Sequence, residues 1–197
     1  METGSYGSGG RHEISLLTNE ENWKKHVDEA YNQYVMDKPY RSMVSLVKQG
    51  LNVMVTRTFS KIHALAGIRV GYGVAKPEII SKLEPLITGT VNILGLRAAM
   101  ASLQDEAFQK MSRSKNLEAK EMVYEVLEQT GKKYAVSEGN FIFFRTGIPI
   151  NNFQAKMEKK GILVGRPFPP FDKWCRLSMA KPKEMKKFTT SFKEVMA

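Results

Sequence analysis

Cysteine is almost missing from this sequence. The 197-residue chain carries one, Cys175, which excludes an internal disulfide and fits a reducing compartment. Cys175 lies in an apolar stretch, Cys175-Arg176-Leu177-Ser178-Met179, that reads as a strand, so the thiol is expected to be buried and inert. Histidine is also scarce: His12, His26 and His63 share no metal-ligand spacing, and no metal site is expected. No apolar run is long enough to span a bilayer. The first residues lack the apolar core of a signal peptide. Internal repeats, zinc-finger spacings and aromatic–basic RNA-binding motifs are absent as well. Acidic residues are outnumbered by basic ones, 20 to 30, for a formal charge of +10. Such a charge suggests an acidic partner. However, the lysines are dispersed in pairs such as Lys132-Lys133, Lys159-Lys160 and Lys186-Lys187, which a solvated face explains. These features point to a soluble cytoplasmic protein that binds neither nucleic acid nor membrane.

Apolar content is ample. Hydrophobic residues make up 42% of the chain, enough for a substantial core in one large or two small domains. Residues 1–25 read as a flexible head: Gly4-Ser5-Tyr6-Gly7-Ser8-Gly9-Gly10 is linker-like and Thr18–Lys25 is polar. Beyond it, strands are expected at Leu51–Val55 and Ile68–Val74. Short helices are expected between Pro39 and Gly50, from Pro77, and from Leu94 to about Leu103. A long helix is expected over Phe108–Gln129, stopped by Gly131. Then come strands at Tyr134–Val136, Phe141–Phe144, Ile162–Val164 and Arg176–Met179, with a helix near Asn152–Lys160. In Lys183–Val195, Met185, Phe188, Phe192 and Val195 recur at steps of three and four, the pattern of an amphipathic helix.

The chain is organised around Thr56-Arg57-Thr58-Phe59-Ser60-Lys61-Ile62-His63-Ala64-Leu65-Ala66-Gly67-Ile68-Arg69-Val70-Gly71-Tyr72. Lys61 stands in a strand-to-strand connection with apolar sequence on both sides. Burial there would lower its pKa and leave a neutral nucleophilic amine, as Schiff-base chemistry requires. From this pattern alone a solvated lysine at a strand end is the preferred reading. Upstream lies Asp28-Glu29-Ala30-Tyr31, which by itself reads as a helix N-terminus.

Taken together and in this order, the two motifs resemble the signature of fold-type I aminotransferases that use pyridoxal 5'-phosphate (PLP), and most of all the histidinol-phosphate aminotransferase group. The resemblance runs from about Val27 to the end of the chain. It implies an α/β fold, namely the C-terminal part of the fold-type I PLP-dependent transferase fold. A partial PLP-binding large domain would occupy 26–104 and a small C-terminal α/β domain 105–197. By position, Lys61 would form the Schiff base, Ser60 and Arg69 would hold the cofactor phosphate, and Asp28 would pair with the pyridine nitrogen. Tyr31 would bond the ring's phenolic oxygen. A carboxylate at the ring nitrogen keeps it protonated, so that the ring accepts electrons from the substrate carbanion.

The same resemblance assigns Arg176 to the substrate α-carboxylate, which a two-pronged guanidinium suits better than an ammonium does. Arg166 falls roughly where a second substrate-contacting arginine stands, and a surface role is equally open. Asn140 sits where a strand start approaches the substrate, although a turn residue explains it as well. Arg166 and His63 would both suit a phosphate or second carboxylate on the substrate. In one respect the sequence departs from the family. A buried strand should precede Asp28 as an apolar run, and here that place is taken by Trp23-Lys24-Lys25-His26-Val27. The family also carries much sequence before this point, so the chain is expected to be incomplete. Two functions remain open. One is a homodimeric PLP-dependent aminotransferase acting on an amino acid and a 2-oxo acid. The other is a catalytically impaired remnant serving as a non-enzymatic folded module.

Overall fold

The computed structural model describes residues 25–36, 40–87 and 89–196. The expected flexible head lies outside these residues except for Lys25, as does Pro39. The described residues divide after Glu106 into two compact units, each built around its own three-stranded sheet.

In the first unit β1 (Lys25–Asp28), β2 (Val53–Thr58) and β3 (Gly71–Val74) lie side by side in that order. β1 runs parallel to β2, with Asp28 opposite Thr56, and β3 runs antiparallel to it, with Gly71 opposite Thr58. The polar stretch before Asp28 does form a strand at Lys25–Asp28. Its place in the sheet explains how. β1 is an edge strand among the described residues, and Lys25 and Val27 are half-buried while His26 and Asp28 are exposed. Only Val27 joins the core, and His26 Nε2 lies 2.9 Å from Thr56 Oγ1 on the outer face. An edge strand with one wet face does not need a continuous apolar run.

β2 starts later than its apolar run and continues to Thr58. Leu51 closes the preceding helix α1 (Val44–Lys48), its N–H donating to the Leu46 carbonyl at 3.1 Å, and so is not available to the ladder. Val53 and Val55 are fully buried against Met43 and Leu46. The expected strand over 68–74 is also shorter. Ala66–Ile68 is a 3-10 turn, Arg69 takes the left-handed region at φ 60°, and extended pairing begins at Gly71. A Cβ on Gly71 would stand 2.8 Å from the Arg57 carbonyl oxygen, so this approach of β3 to β2 requires glycine.

Helix α2 (Pro77–Leu83) opens on its proline. Helix α3 (Ile93–Gln104) is capped by Asn92, whose side chain accepts the Leu94 and Gly95 N–H groups at 3.0 and 3.3 Å. α3 packs on the segment after β2: Phe59, Val70 and Ala99 are buried together, with Leu65 and Ile68 against them.

The second unit contains α4 (Glu106–Gln129), β4 (Tyr134–Ala135), β5 (Phe141–Arg145), α5 (Ile150–Glu158), β6 (Trp174–Ser178) and α6 (Pro182–Met196). Its sheet is antiparallel in the order β4-β5-β6. Period-two alternation sends Ile142, Phe144, Cys175 and Leu177 inward. They meet Val123 and Leu127 of α4, Phe153 and Met157 of α5, and Phe188 and Phe192 of α6. Each of the three fully buried phenylalanines, Phe144, Phe153 and Phe192, stabilises the unit by about 1.5–3 kcal/mol. Cys175 is buried here, and burial pushes its thiol up to about 12. The strand expected at Ile162–Val164 does not form. The Ile162 N–H donates to the Met157 carbonyl to close α5, and no strand among the described residues pairs with this segment. Its alternation is real nevertheless: Ile162 and Val164 pack on the core while Leu163 is exposed.

Candidate functional site

The parallel strands β1 and β2 end side by side, and an open cleft of about 320 Å³ lies at their C-terminal ends. Asp28, Thr56, Thr58, Ser60, Arg69 and Gly71 line it. Asp28 is the last residue of β1, with its carboxylate exposed and one oxygen accepting the Ala30 N–H at 2.9 Å. That short turn fixes the carboxylate at the strand end, because the backbone continuing from it holds the side chain. Ser60 follows β2, and its N–H donates to Thr58 Oγ1 at 3.0 Å, starting the loop. Arg69 closes the loop. Its Nη1 donates to the Ala66 carbonyl at 2.7 Å and its side chain is exposed. Ala64 also has positive φ, at 56°, so two non-glycine residues of this loop hold the left-handed region. Such backbone persists only where the surroundings impose it, and it clusters at functional sites.

Lys61 is half-buried. Its neighbours Phe59 and Ile62 are in the core, as the flanking apolar sequence suggests, but its side chain is not enclosed. Nζ stands 5.2 Å from the centroid of the Tyr31 ring, a cation–π arrangement that joins the two sequence motifs. His63 is part of the interior, with 4% exposure, and not of the cleft lining. Gln33 Nε2 lies 3.3 Å from its Nε2, and Ser102 Oγ lies 2.7 Å from its Nδ1. An amide nitrogen can only donate, so His63 Nε2 is the acceptor and Nδ1 carries the proton. Burial lowers the His63 pKa below its usual value, and the bond to Ser102 opposes that only in part. His63 is therefore a neutral brace and not an anion ligand.

The remaining expected residues belong to the second unit. Arg176 is half-buried on the face of β6 opposite the core, across from Phe143, with its guanidinium carbon 4.1 Å from the Phe141 ring centroid. Stacking of this kind orients the planar fork. Arg166 is exposed and stacks on Phe168 at 4.2 Å. Asn140, half-buried just before β5, accepts the Met179 N–H at its carbonyl at 2.8 Å.

Two features of the first unit escaped the sequence reading. Thr58 adds a hydroxyl to the cleft. The alternation of β2 puts it on the same face as Thr56, but only once β2 is known to run that far. Glu29, next to Asp28, is buried and forms an ion pair with Arg57 at 2.8 Å. Burial of a glutamate is rare without a partner, and the partner lies on another strand, invisible to local pattern.

The donor set in the cleft suits PLP. Hydroxyls of Ser60 and Thr58 with the Arg69 guanidinium match a phosphate, and an exposed carboxylate matches a protonated ring nitrogen, while Lys61, next in sequence to Ser60, is not itself in the cleft lining and has its amine over the Tyr31 ring. The fold belongs to the same class. The chain has the fold of fold-type I PLP-dependent transferases and contains part of it. Its residues 11–192 match the model of the aminotransferase class I and II family, and the chain belongs to that family. It is 39% identical over 178 residues to the histidinol-phosphate aminotransferase of Moorella thermoacetica, covering 87% of this chain and 45% of that protein. A solved structure from Erwinia carotovora atroseptica, assigned provisionally as a histidinol-phosphate aminotransferase, is 40% identical with a TM-score of 0.83 over 86% of this chain and 49% of the other. The histidinol-phosphate aminotransferase of Sinorhizobium meliloti, solved in complex with pyridoxal-5'-phosphate, is 26% identical with a TM-score of 0.75 over 87% of this chain and 48% of the other. The chain thus spans about half the length of the curated relatives it matches. No helix among the described residues is long and apolar enough to cross a membrane.

Proposed function

We propose that this chain carries the Lys61-bearing share of a PLP-dependent aminotransferase. Its reaction moves an amino group from an amino acid, histidinol phosphate or a similar donor, to a 2-oxo acid. One observation carries the reading: Asp28 at the end of β1, and Ser60 and Arg69 from the two ends of the loop that carries Lys61, line one cleft at the strand ends. PLP, when bound, supplies the electron sink that makes the substrate α-proton removable. The Asp28 carboxylate would hold the proton of the ring nitrogen, and Tyr31 would hydrogen-bond the phenolic oxygen. Ser60, Thr58 and Arg69 grip the phosphate. Lys61 would hold the cofactor through its amine. The Lys61 amine would also take the substrate α-proton as general base and return it as general acid. Arg176 orients the substrate α-carboxylate, with Arg166 and Asn140 as further contacts.

In this reading 26–104 and 105–197 are the large-domain and small-domain shares of the enzyme, and the assembly is a cytoplasmic homodimer. The exposed Ile93, Leu94, Met100 and Leu103 on α3 support association, because large apolar side chains grouped on one helix are seldom left in water. The test of function is borohydride reduction in the presence of PLP, followed by peptide mapping. The expected result is a pyridoxyl label on Lys61. Label on another lysine, or none at saturating cofactor, would overturn the assignment and favour a non-catalytic folded module.

A further inference from the structure

The buried Glu29 side chain accepts four hydrogen bonds. Its carboxylate accepts the Met43 N–H at 2.7 Å on Oε1. On Oε2 it accepts the Ser42 hydroxyl at 2.8 Å and Arg57 Nε and Nη2 at 3.0 and 2.8 Å. Arg57 Nη2 also donates to Ser42 Oγ at 2.7 Å, and that oxygen accepts the Val44 N–H at 3.2 Å. The Glu29 side chain is 1% exposed and the Arg57 side chain 21%. The cluster therefore joins three segments: the end of β1, the end of β2 and the start of α1.

Its location is as specific as its bonding. Glu29 directly follows Asp28, and its N–H donates to the Thr56 carbonyl at 2.9 Å, so the parallel register continues through it. Arg57 lies between Thr56 and Thr58, whose side chains take the other face of β2. The buried Glu29 thus stands on the core side of the strand ends, while its partner Arg57 borders the cleft together with Asp28, Thr58 and Ser60. A guanidinium with two nitrogens on one buried carboxylate fixes both distance and orientation.

We infer that Glu29 and Arg57 are positioning residues, a clamp that holds the ends of β1 and β2 in register so that Asp28 and the Ser60-Lys61 loop meet one cofactor. This rests on the aminotransferase reading. Glu29 does not line the cleft, and Arg57, which borders it, has its Nε and Nη2 donors committed to Glu29 and Ser42. Sites of this type work only when held to within about 1 Å, which backbone pairing over four residues at an edge does not ensure alone.

The experiment compares the full chain with Glu29→Gln, Arg57→Lys and the double variant Glu29→Gln/Arg57→Met. It reads thermal unfolding, PLP affinity from the absorbance of the bound cofactor, and the borohydride label on Lys61. Glu29→Gln leaves a largely buried cation poorly paired, so stability and affinity should both fall. The double variant removes the unpaired charge along with the clamp. It should regain most of the stability and yet bind PLP at least tenfold more weakly than the unsubstituted chain. Arg57→Lys, which keeps charge and loses the fork, should fold and also bind more weakly. A folded double variant with affinity within threefold of the original would show that the pair is structural only, and would overturn the inference alone. Original affinity in folded Arg57→Lys would overturn it too, whether or not the double variant folds. No Lys61 label in the unsubstituted chain would overturn the aminotransferase reading and this inference together.

Discussion

Ser102 Oγ lies 2.7 Å from His63 Nδ1, and this contact ties the loop that carries Lys61 to helix α3. The opposite edge of the imidazole meets Gln33, in the turn that follows Tyr31, and the ring packs on Phe59 at 4.9 Å between centroids. One buried ring therefore braces the loop that carries Lys61, the turn that follows Tyr31 and α3 against one another.

A dependence on pH follows. In the folded chain the His63 pKa is lowered from 6.5, chiefly by burial, so between the two values the unfolded chain binds more protons. The sign is then fixed: the His63 contribution is fully present above pH 6.5 and is lost as pH falls through the folded value. Melting temperature should therefore drop as pH is lowered below 6.5, and His63→Phe should flatten that part of the curve. Equal slopes in the two proteins across this window would show that His63 does not titrate in the way argued.

Gly165 has a backbone role toward Arg176. A Cβ at this position would land on the Arg176 carbonyl oxygen, and Gln154 Nε2 donates to the Gly165 carbonyl at 2.8 Å. Backbone cannot yield as a flexible side chain does. Gly165→Ala should destabilise the second unit by about 1–3 kcal/mol, measured by urea unfolding. Full stability in that variant would mean that the segment before Arg166 moves freely away from β6.

The strand ends that build the cleft were legible in outline. Ser60-Lys61 and Gly67-Ile68-Arg69 stand where an apolar strand gives way to a loop, and the structure puts Ser60 and Arg69 on one cleft. The amphipathic α6 and the long α4 were readable from their periodicity, because burial of one helix face is a local pattern. Where reading failed, long-range pairing decided. Alternation in Ile162–Val164 could not reveal that no strand lies alongside. The lysine and histidine before Asp28 hid a strand because its edge position relaxes the demand for apolar residues. His63 looked available to a ligand until Gln33 and Ser102, distant in sequence, were found on its two nitrogens.

Asp28 should be separable from its own turn. Asp28→Asn keeps an oxygen for the Ala30 N–H and removes only the charge. PLP should still attach to Lys61 and be reducible there. Amino-acid-driven change in cofactor absorbance should slow by about 100-fold, the scale for losing one preorganised electrostatic contact. Unaltered rates would mean that another group holds the ring nitrogen.

Arg176 is the sharper test of how the second unit serves the reaction. Its guanidinium is planar and lies over the Phe141 ring at 4.1 Å, a contact that an ammonium makes with less orientation. On the proposed function it meets the substrate carboxylate through two parallel N–H donors. Arg176→Lys retains the charge but can offer only a point donor in place of the fork. A charge-assisted hydrogen bond is worth about 1.5–3 kcal/mol, so amino-acid affinity should weaken by roughly 10- to 100-fold. PLP affinity and the Lys61 label should stay the same, because the residues proposed to hold the cofactor all belong to the first unit. Titrating the cofactor absorbance with amino acid, and separately with PLP, gives the two constants. A parallel loss in both would make Arg176 a structural residue of β6 and not the carboxylate clamp.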